Sequence, residues 1–379
     1  MFFPATLFAD AITDYNLAVQ FYKQERWNLA AEACEEFVKK YPDHVQAPMA
    51  QLYWGQSLVH LRDFKKAREK FKVYIKDPRA KTDRALAMYR IGESSYFLND
   101  VNAAEQELAT FLTTYPEHEL AEWAIVYLAQ SQFQGNEISK AIKNFESALS
   151  KYPKSPLKSE SQYGLARAYE ADGQAKKAIE LYLLVINLKD DPQAASALFH
   201  LAALNFSTGD YTQADERFQE FSQKYPENRL VPLAALNAGY ANYQLKKFDE
   251  AIVRFQIAAK ADSQKLTSLY WVGLSHKSLG DYQTAVKVFE EAIAQSQEQP
   301  LVENISFQAG DAALRLKKFP EAIKYFTSVY QKFPNGEYAD DALHSACEAS
   351  LQSNDLTKAA ELNSLFEQRY PTSGLQLVQ

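Results

Sequence analysis

Cysteine is nearly missing from this chain. Cys34 and Cys347 are the only two in 379 residues, they stand near opposite ends, and neither belongs to a CxxC pair. A zinc ribbon and a stapling disulfide are therefore not expected. No run approaches the roughly 18 consecutive apolar residues that a membrane-spanning helix needs. Charge of one sign is missing too: 41 Lys and Arg face 48 Asp and Glu, and no block of like charges interrupts the sequence. A cationic face for nucleic acid or anionic lipid is not predicted, since both demand displaced counterions.

Catalytic signatures are equally scarce. The 12 glycines are scattered, with neither GxGxxG nor GxxxxGK[ST], so no nucleotide-phosphate cradle is present. The six histidines, His44, His60, His118, His200, His276 and His344, follow no HExxH or comparable ligand spacing. Acidic pairs such as Glu35-Glu36, Asp190-Asp191, Glu290-Glu291 and Asp340-Asp341 read as solvated helix surfaces or helix starts, where carboxylates complement the dipole. The expectation is a chain that is not an enzyme and holds neither cofactor nor metal.

What the sequence does hold is repetition. Ala30, Ala67, Ala104, Ala141, Ala178, Ala214, Ala251, Ala285, Ala322 and Ala359 are separated by 37, 37, 37, 37, 36, 37, 34, 37 and 37 residues. Twelve residues before each stands a small residue: Ala18, Gly55, Gly92, Ala129, Ala166, Ala202, Gly239, Gly273, Gly310 and Cys347. Turn signals fall between the columns, as at Asn99-Asp100 and Gly209-Asp210, and apolar periodicity of 3.6 restarts after them. Each unit reads as helix, turn, helix. The small residue is expected to meet the Ala of the second helix, with a bulky residue one turn later filling the layer between neighbouring hairpins. A third column, Tyr41-Pro42, Tyr115-Pro116, Tyr152-Pro153, Tyr225-Pro226, Phe333-Pro334 and Tyr370-Pro371, stops the second helix, because proline lacks the amide hydrogen and biases its predecessor away from helix.

Small residue, Ala twelve later, aromatic four later and Pro eight after that resembles the tetratricopeptide repeat, across roughly residues 10 to 371. The resemblance implies an all-α fold, a right-handed superhelical solenoid of about ten hairpins whose function is to hold other proteins. The 37-residue period and the YPxxxxA junction, as in Tyr115-Pro116-Glu117-His118-Glu119-Leu120-Ala121, are similar to the bacterial cell-envelope branch, comprising the Tol-Pal coordinator family and the outer-membrane assembly lipoproteins. That implies a periplasmic or envelope-associated scaffold; a cytoplasmic adaptor and an accessory subunit of a separate enzyme are the alternatives. Residues 1–9 read as the back of a signal peptide or as an N-terminal cap, with Ala9-Asp10-Ala11 in small-x-small form and no Lys or Arg before Lys23. Residues 372–379 form a tail. The shortness of this tail leaves an apolar end open to a partner or to a second copy as a homodimer.

The family register places a concave groove on the first helix of each hairpin. The candidate groove residues are Met49, Tyr53, Tyr89, Tyr96, Trp123, Tyr127, Phe133 and Trp271. An apolar peptide or helix is the expected partner of the largely apolar N-terminal half. Asn304, Asp311, Asp341, His344 and Glu348 make the C-terminal end acidic, which favours a basic partner. The carboxylate clamp of co-chaperone repeats is not matched, because its position reads Val19, Gln56, Glu93 and Gln130 in the first four repeats. Isolated Arg90 and Arg167 are expected to be solvated or ion-paired. A change of curvature is expected around residues 258 to 275, where the spacing falls to 34.

Overall fold

The computed structural model describes residues 5–295, 300–371 and 373–375, with side chains from residue 10 onward. Among the described residues there are twenty α-helices and no strand. The first ten are α1 (Ala5–Lys23), α2 (Trp27–Lys40), α3 (Ala47–His60), α4 (Phe64–Lys76), α5 (Arg84–Phe97), α6 (Val101–Thr114), α7 (Ala121–Gln134), α8 (Ile138–Lys151), α9 (Lys158–Ala171) and α10 (Ala175–Ile186). The rest are α11 (Ala194–Ser207), α12 (Tyr211–Lys224), α13 (Val231–Gln244), α14 (Phe248–Ala258), α15 (Asp262–Ser278), α16 (Tyr282–Gln295), α17 (Pro300–Arg315), α18 (Phe319–Lys332), α19 (Ala339–Gln352) and α20 (Leu356–Arg369). Of the 1–9 stretch, residues 1–4 and the side chains to residue 9 lie outside the described residues; the backbone from Ala5 belongs to α1. The chain divides into two compact units, Met1–Ala197 and Leu198–Gln379, with the division inside α11.

Each hairpin turn is made by one residue in the left-handed region. Glu25, Arg62, Asn99, Asn136, Gly173, Gly209, Lys246, Gly280, Lys317 and Asn354 all have positive φ, from 57° to 84°, and they recur with the same spacing as the alanines. Glycine and asparagine occupy this conformation at low cost, which explains six of the ten positions. The residue after it caps the second helix: Asp63, Asp100, Asp210 and Asp355 accept from the backbone N–H three residues on, at 3.0 to 3.3 Å.

The Tyr-Pro column sets a fixed helix length. The helices it closes, α2, α6, α8, α12, α18 and α20, each have 14 residues. Of the four second helices without it in register, three end sooner, α4 with 13 residues, α10 with 12 and α14 with 11, and α16 has the same 14. In repeat two Arg79 ties the junction instead, pairing with Asp77 at 2.7 Å and donating to the carbonyls of His44 and Pro42 at 3.2 and 3.1 Å. In repeat seven the loop to α15 is only Ala259–Ala261, and α15 grows to 17 residues. This is where the 34-residue spacing arises.

The crossing of each hairpin differs in one respect from the expected one. A Cβ added at Gly55, Gly239, Gly273 or Gly310 would lie 2.3 to 2.8 Å from the ring of Phe71, Phe255, Phe289 or Phe326. At these four the bulky residue of the second helix fills the notch left by the missing side chain within its own hairpin. The bulky column also reaches the next hairpin as expected, Phe145 filling the notch at Gly164 of α9 and Phe255 stacking on Trp271 of α15. Direct contact of the small residue with the Ala column is seen at the last repeat, where the Cys347 thiol donates to the Ala359 carbonyl at 3.3 Å.

Candidate functional site

Curvature is legible in which helices touch. From α1 to α10 in the first unit and from α12 to α20 in the second each helix packs on its chain neighbours, but α1 also reaches α3, α5 reaches α7 and α7 reaches α9 in the first unit, as α13 reaches α15 and α15 reaches α17 in the second. No successive even-numbered helices make contacts as extensive among the described residues. Helices that approach every other neighbour line the inside of a curve, so within each unit the odd helices form the inner face.

In the first unit this face carries seven of the eight candidate residues. Met49 and Tyr53 stand one turn apart on α3, Tyr89 and Tyr96 are on α5, and Trp123, Tyr127 and Phe133 are on α7. Tyr96 and Tyr127 stack at 4.7 Å between ring centroids, and Tyr53 meets Tyr22 of α1 at the same distance. Met49 takes a 3.8 Å contact from the Thr82 hydroxyl. Two members are essentially interior: Tyr89 is 2% exposed and Tyr127 9%. Tyr89 donates its hydroxyl to Glu93 at 2.9 Å and packs on Phe111, so it serves the core. Trp271 belongs to the second unit, where Tyr240, Tyr243 and Tyr270 surround it edge-on at 5.0 to 5.6 Å.

The inner face is more polar than the sequence reading expected. Tyrosine hydroxyls buried on it call for partners, and polar groups are threaded between the rings. Tyr22 donates to Gln56. Arg90 pairs with Glu93 at 2.5 Å, and Gln130 donates to Glu160 at 2.6 Å. The Arg167 guanidinium lies 5.0 Å above the Phe133 ring. Burial, with the Glu160 charge second, pushes the Tyr96 phenol up to about 12. Tyr127 is raised further by burial and then Glu93, and Tyr53 is raised by burial and then Asp83. The signal for this polarity was present in the inner-face positions reading Gln56, Glu93, Gln130 and Arg167.

One contribution to the expected acidic C-terminal end is removed: Asp311 is ion-paired with Lys277 at 2.5 Å and with Arg315 at 3.7 Å, which leaves Asp341 and Glu348 of the acids expected there. The expectation of an apolar end is corrected. Apart from Leu356, α20 turns Thr357, Ala360, Glu361, Ser364, Glu367 and Gln368 outward, and Leu375 of the tail packs back on the core beside Tyr370. A polar outer helix is how a terminal repeat stays solvated. Among the described residues no group of three or more His, Cys, Asp or Glu is placed to hold a metal, and no helix is long and apolar enough to cross a membrane.

Comparison with known proteins agrees with the hairpin architecture. Two tetratricopeptide repeat family models match, one over residues 15–85, 126–195 and 272–337 and the other over 86–118 and 196–228. A TPR repeat-containing protein of Methanocaldococcus jannaschii is 28% identical over 161 residues, covering 42% of this chain and 27% of that protein. The outer membrane protein assembly factor BamD of Pasteurella multocida is 25% identical over 170 residues, covering 43% of this chain and 57% of that protein. The chain thus spans about a quarter to somewhat over half of these relatives. Among solved structures, the C-terminal part of a TPR repeat-containing protein from Cytophaga hutchinsonii superposes with a TM-score of 0.58 at 14% identity, covering 67% of this chain and 99% of that one.

Proposed function

The chain belongs to the tetratricopeptide repeat family, and from that premise we propose that it is a non-catalytic interaction scaffold that helps assemble a bacterial cell-envelope complex. The observation that carries the reading is the inner face of the first unit. Tyr96 and Tyr127 stack there and Tyr22 and Tyr53 meet at a tilt, with Met49 and Trp123 half-buried beside them. Rigid aromatic rings with polar tips are what interface hot spots are made of. An apolar or amphipathic segment of a partner protein, helical or extended, is the occupant this face suits. Similarity to an outer membrane protein assembly factor, together with the YPxxxxA junctions, supports the envelope setting.

A cytoplasmic adaptor is the second reading, favoured by the similarity to an archaeal repeat protein. N-terminal sequencing of the native protein separates the two. A chain beginning near Asp10 or Ile12 indicates export, and an intact Met1 in the cytosol contradicts the envelope reading. For the inner face, Met49→Glu and Trp123→Glu are the informative changes, because both side chains are partly exposed. Each is expected to reduce recovery of the native partner about tenfold or more while the helical circular dichroism is unchanged. Wild-type recovery by both folded variants removes the groove from the account.

A further inference from the structure

A second, separate surface lies at the hairpin-turn edge of the first two repeats. Trp27, the first residue of α2, stacks flat on His60 with centroids 3.8 Å apart and planes 3° apart, and Tyr22 braces it edge-on at 5.4 Å. Beside this stack a cleft of about 320 Å³ opens between the Glu25–Leu29 segment and Leu61, and its lining is mostly apolar. Leu61 is 37% exposed. The geometry is that of a seat for one bulky apolar side chain, with a wall held rigid by stacked rings.

The charge around the cleft runs against the rest of the molecule. The whole chain carries −7, yet Arg26 lines this cleft, Arg62 follows Leu61, and Lys23 and Lys65 stand two and four residues from lining positions. None of these four has an acidic side chain within ion-pair distance among the described residues; the Arg26 guanidinium lies 5.2 Å from the centre of the Phe21 ring. Asp63 is already held by Lys66 at 3.0 Å, which leaves Glu25 as the one acid at the cleft. Tryptophan and arginine are enriched at binding hot spots, and unpaired cations beside an apolar cleft select a negative partner.

We infer that this edge is a second docking site, and that it takes an acidic segment of a partner protein presenting one bulky apolar side chain between carboxylates. A concave seat for a single side chain fits such a segment. A bilayer surface fits it poorly, since membrane insertion uses protruding rather than recessed apolar groups and the chain as a whole is repelled by anionic lipid. The cleft lining includes none of the candidate groove residues, and Tyr22 is shared, bracing Trp27 here and meeting Tyr53 on the inner face.

The test uses the full chain and a fluorescein-labelled synthetic peptide with one phenylalanine flanked by glutamates, read by fluorescence anisotropy. Saturable binding is expected, weakening as salt rises, with no binding of the lysine-flanked analogue. The double variant Arg26→Glu, Arg62→Glu is expected to weaken it at least about tenfold, and Leu61→Asp likewise. Arg62→Glu is tolerated by the turn, because Glu25 already occupies the same left-handed position one repeat earlier. Trp123→Glu is expected to leave peptide binding unchanged, which separates failure of this inference from failure of the inner-face proposal. The inference is overturned if the acidic peptide does not bind, if the lysine-flanked analogue binds equally, if the charge-reversed protein binds as well as wild type, or if phosphatidylglycerol vesicles compete the peptide away.

Discussion

At the scale of single residues, two constraints repeat along the chain with opposite consequences for substitution. The turn column requires positive φ, and Lys246 meets it at 59° with a side chain in the way. Lys246→Gly is expected to stabilise the protein by about 0.5 to 1 kcal/mol, the left-handed penalty less the extra chain entropy. The crossing column requires an absent side chain. Gly239→Ala places a Cβ about 2.4 Å from the fully buried Phe255 ring, and an overpacked core of this kind costs about 1 to 3 kcal/mol. Urea denaturation of the two variants should move the midpoint in opposite directions. The sequence showed the crossing column in every repeat and the turn column where Asn or Gly stands, but not at Glu25, Arg62, Lys246 or Lys317. It did not show which neighbour of a groove position faces inward: Leu52, Tyr89 and Val126 are 1 to 2% exposed, whereas Tyr53, the next residue after Leu52, is partly open. Adjacent helical residues point about 100° apart, so a ladder of aromatics read one position off becomes core.

At the scale of helices, the repeat period told where each element starts but not how long it lasts. Six second helices end at Tyr-Pro or Phe-Pro after 14 residues. Three of the other four end earlier, and at α4 the local chemistry is plain, since Asp77 is extended at ψ 122° before Pro78. The 11 residues of α14 give it the fewest backbone hydrogen bonds of any second helix described, and no Tyr-Pro cap closes it. Hydrogen exchange around residues 258–275 is expected to be faster than in α5 to α8, and equal protection there contradicts the link between helix length and local opening.

At the scale of the whole molecule, each hairpin packs chiefly on its neighbours, so stability is a sum of local terms distributed along the array. Tyrosine burial makes one of these terms sensitive to alkali. Tyr96 and Tyr270 are pushed up to about 12 by burial, against an ordinary value of 10.0. A phenol that ionises later in the folded state than in the unfolded chain stabilises the fold fully below pH 10 and loses that contribution as pH rises through 12. The guanidinium midpoint should therefore fall between pH 9.5 and about 11.5, in step with phenolate absorbance. A flat midpoint over that range contradicts the burial. Repeat number, fold class and family were legible in the sequence because each is written ten times. The polar threading of the inner face was harder to read: its residues Gln56, Glu93, Gln130 and Arg167 do stand in one column, but their partners differ from repeat to repeat, Glu93 taking Arg90 of its own helix and Gln130 taking Glu160 of the next repeat.

The central claim is that the inner face of the first unit holds a partner protein. It is tested most directly by placing a photo-crosslinking residue at Met49 or Trp123 on the inner helices, or at Lys143 or Ser147 on α8, in the native host. The account predicts that Met49 and Trp123 crosslink to one common protein and that the α8 positions do not. Equal crosslinking from α8, or none from α3 and α7, contradicts it.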